Sequence, residues 1–170
     1  YPLILLCLIR LSALGQSIQA PVDFLGHQLG ESFTSHHRMV AYMKHLAENS
    51  PKAKIEQYGE TYEGRELVLL YISSPENLEN LEAIRLRNLA AARLEGEQSG
   101  GKHLPIVWLS YNIHGNESAG TEAAIATVYA LLSGEKATQN TAAPSAIDDW
   151  LQNVVVVIDP CENPDGRERY

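Results

Sequence analysis

Cysteine is scarce. The 170 residues contain two, Cys7 and Cys161, and no disulfide framework can be read from them. Positive charge is also in short supply: 13 Lys and Arg stand against 21 Asp and Glu, for a formal net charge of −8. That balance argues against nucleic acid as a main partner, because phosphate binding needs a positive field. No segment is apolar for long enough to span a bilayer, which takes about 20 residues; the run at residues 3–9 is cut by Arg10. Internal repeats and low-complexity tracts are absent as well. What is present is an ordinary globular balance, 45% hydrophobic and 20% charged. The length suffices for one domain with a sizeable core, or for part of a larger one.

The first residue is Tyr1 rather than Met. Residues 3–9 are uninterrupted apolar sequence followed by small residues, the pattern of the core and cleavage region of a secretory signal without its basic start. Ala13-Leu14-Gly15 fits the small-x-small cleavage rule, and Ala20 offers a second cleavage point. Residues 1–20 are therefore expected to be a truncated signal peptide, with residues 21–170 secreted or periplasmic. The chain stops at Tyr170 directly after a turn, and the two ends together suggest a piece of a longer protein.

Periodicity organises the rest. A helix is expected over 35–48, with Met39, Val40, Met43, Leu46 and Ala47 as its apolar face. Strands are expected over 54–61 and 66–73, joined by a hairpin turn at 62–65 containing Gly64. Ser74 and Pro75 suit the cap and first position of a helix. Leu78, Leu81, Ile84 and Leu89 form its stripe; Glu79, Glu82, Arg85 and Arg87 form its solvated face. A loop at 96–101 precedes a strand at 104–112. A helix follows at 119–133, with Ile125, Val128, Leu131 and Leu132 inward and Gly134 ending it. After a polar loop at 135–144 and a short helix at 145–151 comes a strand at 153–158. Its Val154-Val155-Val156-Val157-Ile158 run lacks alternation, as a central strand covered on both faces would. Strands alternating with helices imply an α/β fold: a mixed sheet with helices on both faces and parallel later strands.

In such sheets, sites gather beyond the carboxyl ends of strands. The strand at 104–112 runs into Ile113-His114-Gly115-Asn116-Glu117; that at 153–158 runs into Asp159-Pro160-Cys161-Glu162-Asn163-Pro164-Asp165-Gly166. Both loops should share one edge. His114 and Glu117, three apart on a turn that Gly115 lets bend sharply, offer an imidazole nitrogen and a carboxylate oxygen, both zinc ligands at about 2.0–2.2 Å. The spacing alone also suits a hydrogen-bonded surface pair. Cys161 reads as a buried free thiol with no neighbouring base. Asn163-Pro164-Asp165-Gly166 reads as a turn, Arg167 and Arg169 as solvated arginines after it, and His36, His37 and His45 as solvated helix histidines.

Three pieces in this order resemble the zinc metallocarboxypeptidases of the carboxypeptidase A/B type: Gly59-Glu60-Thr61-Tyr62-Glu63-Gly64-Arg65-Glu66-Leu67, Asn112-Ile113-His114-Gly115-Asn116-Glu117, and Asn163-Pro164-Asp165-Gly166. The resemblance runs from about residue 35 onward. It implies the N-terminal part of a carboxypeptidase catalytic domain, of phosphorylase/hydrolase-like fold, over residues 21–170. His114 and Glu117 would be two of three protein ligands of a catalytic Zn2+, whose bound water attacks C-terminal peptide bonds of peptides or proteins. The family's third ligand, its general-base glutamate and its arginine clamp for the terminal carboxylate would all lie beyond Tyr170, so no catalytic residue other than the ligands is expected within the chain, and the chain alone is expected to be inactive. Asn116 stands where pancreatic-type enzymes have arginine, and residues 76–101 form a helix and loop those enzymes largely lack. A related zinc amidohydrolase acting on acyl-amino acids or cell-wall peptides, and a non-catalytic binding domain of the same fold, are the alternative readings.

Overall fold

A computed structural model describes residues 17–93, 103–134 and 144–170. Most of the expected signal segment, the loop expected at 96–101 and the loop expected at 135–144, Pro144 excepted, lie outside the described residues. In chain order the elements are α1 (Pro21–Leu25), α2 (His36–Asn49), β1 (Ala53–Glu60), β2 (Glu66–Ile72), α3 (Pro75–Glu79), α4 (Leu81–Ala91), β3 (Ile106–Ser110), α5 (Ser118–Ser133), α6 (Pro144–Leu151), β4 (Val155–Asp159) and α7 (Pro164–Arg169).

The strands form one mixed sheet in the order β1-β2-β4-β3. β1 and β2 are an antiparallel hairpin in which Ala53 faces Ile72 and Glu60 faces Glu66. Its turn contains Gly64 at φ +75°, a left-handed conformation that glycine adopts without steric cost. β2 also pairs antiparallel with β4, and β4 pairs parallel with β3, Ile106 opposite Val155 and Ser110 opposite Asp159. The unbroken apolar run of β4 is thus explained: the strand is central, and all five of its residues are buried.

Alternation along the strands divides the core. Val68, Leu70, Ile72, Val156 and Ile158 point to one face, where α2, α5 and α6 supply Met39, Tyr42, Met43, Leu46, Ile125, Val128, Leu132, Ile147 and Leu151. Leu69, Val155 and Val157 point to the other, against Ile84 of α4 and Leu104. Helices therefore cover both faces. Each fully buried Leu, Ile or Val contributes roughly 1.5–3 kcal/mol, and this sets the sheet register that aims the loops at its edge.

The helix expected from Ser74 onward is two helices. Ser74 caps α3 by accepting the Asn77 N–H at 3.3 Å. Asn80 then leaves helical geometry (φ −109°, ψ 18°) while its side-chain amide donates to the Glu76 carbonyl at 2.8 Å. A side chain that bonds nearby backbone competes with the helix ladder, and α4 starts afresh at Leu81. Only Ile84 of the expected stripe is fully buried, and Leu81 and Leu89 are half-buried.

Candidate metal centre

Because β3 and β4 run parallel, both end at the same edge, and their loops continue the pairing beyond the strands. The Tyr111 N–H donates to the Asp159 carbonyl (3.0 Å), the Glu162 N–H to the Tyr111 carbonyl (3.0 Å) and the Asn163 N–H to the Asn112 carbonyl (3.2 Å). The Asn163 side-chain amide adds a bond to the Ile113 carbonyl at 3.2 Å. The His114 and Asn163 loops are therefore neighbours, as the parallel order requires.

Closest approach comes at two glycines. A Cβ on Gly115 would lie 2.2 Å from the carbonyl carbon and oxygen of Gly166. No side chain fits there, so Gly115 is required by the contact with α7. Asn163 caps α7 by accepting the Gly166 N–H at 2.9 Å, and Pro164 takes the first helical position. The expected turn is thus the first turn of a helix.

The His114–Glu117 turn is closed twice. The Glu117 N–H donates to the His114 carbonyl at 3.0 Å, and Glu117 Oε2 accepts the His114 N–H at 3.1 Å. The carboxylate is thereby folded back over the residue whose ring would share the metal. Both side chains are exposed at the rim. The donor set fits zinc: a neutral imidazole nitrogen and a carboxylate are good ligands, and a tether through Oε2 is compatible with coordination through Oε1. Among the described residues, no group of three or more His, Cys, Asp and Glu forms a larger metal cluster.

Behind the turn lies a buried polar network that the sequence reading missed. Arg167 is not solvated; it is completely buried. Its Nη1 donates to Asn112 Oδ1 (3.0 Å) and the Ser118 carbonyl (3.2 Å). Its Nη2 donates to the Thr34 carbonyl and to Glu122 Oε1, both at 3.0 Å. Glu122 in turn accepts the Thr34 N–H and hydroxyl at 2.9 Å each. Burial pulls the Arg167 guanidinium below its ordinary pKa, and the Glu122 charge opposes that shift; the Phe33 ring stacks 3.9 Å from the guanidinium carbon. Asn112, in a left-handed conformation at φ 55° that Asn tolerates better than most residues, accepts from the Thr121 hydroxyl at 2.9 Å and donates to the His114 carbonyl at 2.6 Å. Glu122 had one sequence signal: it sits on the inward stripe of α5 with Ile125 and Leu132.

Other expectations sort plainly. Cys161 is buried, its thiol pushed up to about 11 by burial. Arg169 is exposed and pairs with Glu63 of the hairpin. Burial alone would raise the Asp165 carboxyl, but hydrogen bonds from Thr61 (2.7 Å) and Arg65 (2.6 Å) outweigh it and hold the group below the ordinary range. Of the helix histidines, His37 is exposed. His36 is buried, its Nε2–H donating to the Glu66 carbonyl at 2.8 Å. His45 accepts the Gln19 N–H at 3.0 Å and stacks on Tyr42. These two face the core side of α2 rather than solvent. His36 also borders a cavity of about 480 Å³ with His37, Lys44, Arg65, Glu66 and Glu168, which reaches neither His114 nor Glu117. No described helix is long and apolar enough to cross a membrane.

Solved structures share the fold. No curated protein sequence matches the chain. Among solved structures, carboxypeptidase A from Helicoverpa armigera aligns with a TM-score of 0.56 at 19% identity, over 87% of this chain and 31% of that one. A metallo-carboxypeptidase from Burkholderia cenocepacia gives 0.55 at 22% identity, over 79% and 28%. Thrombin activatable fibrinolysis inhibitor gives 0.52 at 16%, over 89% and 32%. At these identities the similarity establishes the fold, and the chain spans about a third of the length of each structure. The zinc carboxypeptidase family model matches residues 39–170, and the chain belongs to that family.

Proposed function

We propose that the protein is a zinc metallocarboxypeptidase that removes C-terminal residues from peptides or proteins, with His114 and Glu117 as two of the metal's ligands. The observation that carries the reading is the turn between β3 and α5. In a chain of this family, it brings His114 and Glu117 together at the sheet edge where sites gather, the carboxylate bonded to the His114 N–H. His114 would offer a ring nitrogen, and Glu117 a carboxylate held in place by the His114 N–H. Zinc, when bound there, supplies Lewis acidity and lowers the pKa of water to about 7. The chain's own part is positional: Asn112 fixes the His114 carbonyl, and the Gly115–Gly166 contact fixes the height of the turn. The apolar run at residues 3–9, followed by Ala13-Leu14-Gly15, supports export of the protein through a signal peptide.

The test uses the full-length protein. Zinc content should be stoichiometric, and release of the terminal residue from a peptide with a free carboxylate should stop on chelation and return with added zinc. An amidated peptide should not be cut. His114→Ala should lose both zinc and activity; stoichiometric zinc in that variant would overturn the ligand assignment.

A further inference from the structure

We infer that Arg167 is a positioning residue for the metal-binding turn, acting through Asn112. The inference rests on the reading of His114 and Glu117 as ligands and adds what sets their geometry. One guanidinium nitrogen, Nη1, touches both sides of the turn: Asn112 Oδ1 before His114, and the Ser118 carbonyl just after Glu117. The span between the two ends of the ligand-bearing segment is therefore set by a single atom. Asn112 passes that constraint forward, because its amide donates to the His114 carbonyl at 2.6 Å. The other nitrogen, Nη2, is anchored to Thr34 and Glu122, which lie on separate segments of the chain.

The site is built rather than incidental. Arg167 has no solvent exposure, and a charge is taken out of water only where the surroundings satisfy it. Its four acceptors come from the lead segment, the metal turn and α5. Nε alone lacks a partner. A lysine could keep the charge but is a point donor; it cannot reproduce a planar fork that reaches Asn112 and Ser118 with one nitrogen and Thr34 and Glu122 with the other. Groups that orient metal ligands from behind typically contribute 10–100-fold in metal affinity.

The experiment measures zinc release from the native full-length protein to a chromophoric chelator, well below the melting temperature, beside thermal melts of the zinc-free protein. Asn112→Asp keeps the acceptor for Arg167 and Thr121, loses the donor to the His114 carbonyl, and sets a carboxylate oxygen against that carbonyl with its charge beside Arg167. It should speed zinc release by about 10–100-fold, and the zinc-free melt measures separately what the added charge does to folding. Arg167→Lys should do the same to zinc release, with a lower melting temperature. If Arg167→Lys does not fold, the near-isosteric Asn112→Asp decides the matter. Wild-type zinc release in Asn112→Asp, or in folded Arg167→Lys, would overturn the positioning role. Tight zinc in His114→Ala would instead show that the underlying ligand assignment is wrong, and the two failures are read in different variants.

Discussion

Glu122→Ala tests the buried network by removing the charge that faces Arg167. In the structure Glu122 Oε1 holds Arg167 Nη2 at 3.0 Å, and its side chain is 11% exposed against 0% for Arg167. After truncation the guanidinium remains buried with only neutral acceptors, the carbonyls of Thr34 and Ser118 and the Asn112 side chain. The Thr34 N–H also loses its acceptor. Breaking a buried ion pair from one side costs about 3–5 kcal/mol, and the orphaned Thr34 N–H belongs to the same loss. About 2–4 °C of melting temperature corresponds to each kcal/mol in a unit of about 150–250 residues, and less in a longer one. The expected fall is therefore up to about 20 °C.

The assay is a thermal melt of the full-length protein followed by circular dichroism. Glu82→Ala is the control: Glu82 also pairs with an arginine, Arg85, but both side chains are at least half exposed, and its loss should leave the midpoint unmoved. Glu122→Gln keeps an acceptor oxygen for Thr34 and drops the charge, so it should fall between wild type and Ala. A loss of less than roughly 1 kcal/mol in Glu122→Ala, far below the cost of breaking a buried pair, would refute the claim that this pair is desolvated.

Two further outcomes are expected. Gly115→Ala should displace the metal turn and deplete zinc, because its Cβ would meet Gly166 backbone at 2.2 Å. Gly166→Ala should act differently, displacing the Asn163 side chain at 2.7 Å and with it the cap of α7 and the bond to the Ile113 carbonyl; equal zinc content in wild type and Gly115→Ala, by atomic absorption, would dismiss the Gly115 contact. Burial holds His36 below its ordinary value of 6.5, against a smaller upward pull from its bond to the Glu66 carbonyl. The unfolded chain therefore binds a proton that the folded one resists. The stability is fully present above about pH 6.5 and declines as pH falls toward the folded value. Melts from about pH 7 to about pH 5 should show a shallower loss in His36→Gln, and identical slopes would remove His36 as the cause.

Much of the fold was legible because the signals are local and periodic. The apolar run Val154–Ile158, four of whose residues lie in β4, has one comfortable place, the sheet interior, and β4 sits between β2 and β3. Gly64 marked a turn that needs positive φ. One misjudged element, the single helix expected from Ser74, failed for an equally local reason. Leu78, Leu81, Ile84 and Leu89 keep helical spacing across Asn80, but spacing does not register an amide that bonds its own backbone and interrupts the ladder.

The site divides along a different line. The closeness of His114 and Glu117 was legible from the turn between them, and the roles proposed for them come from the family resemblance. Arg167 was not, because an arginine is read as solvated unless acceptors are in view, and its acceptors lie at positions 34, 112, 118 and 122. The same blindness to distance hid the meaning of the glycines. Gly115 looks like part of one motif and Gly166 like part of another, yet their backbones touch. The two motifs are halves of one contact, and neither half alone fixes where the ligands stand. A chain with His and Glu three apart but a larger residue at the Gly115 position would keep both donors and lose the height of the turn that presents them. For a turn of this kind, the glycine that admits the neighbouring backbone is therefore as much a part of the arrangement as the two residues proposed as ligands.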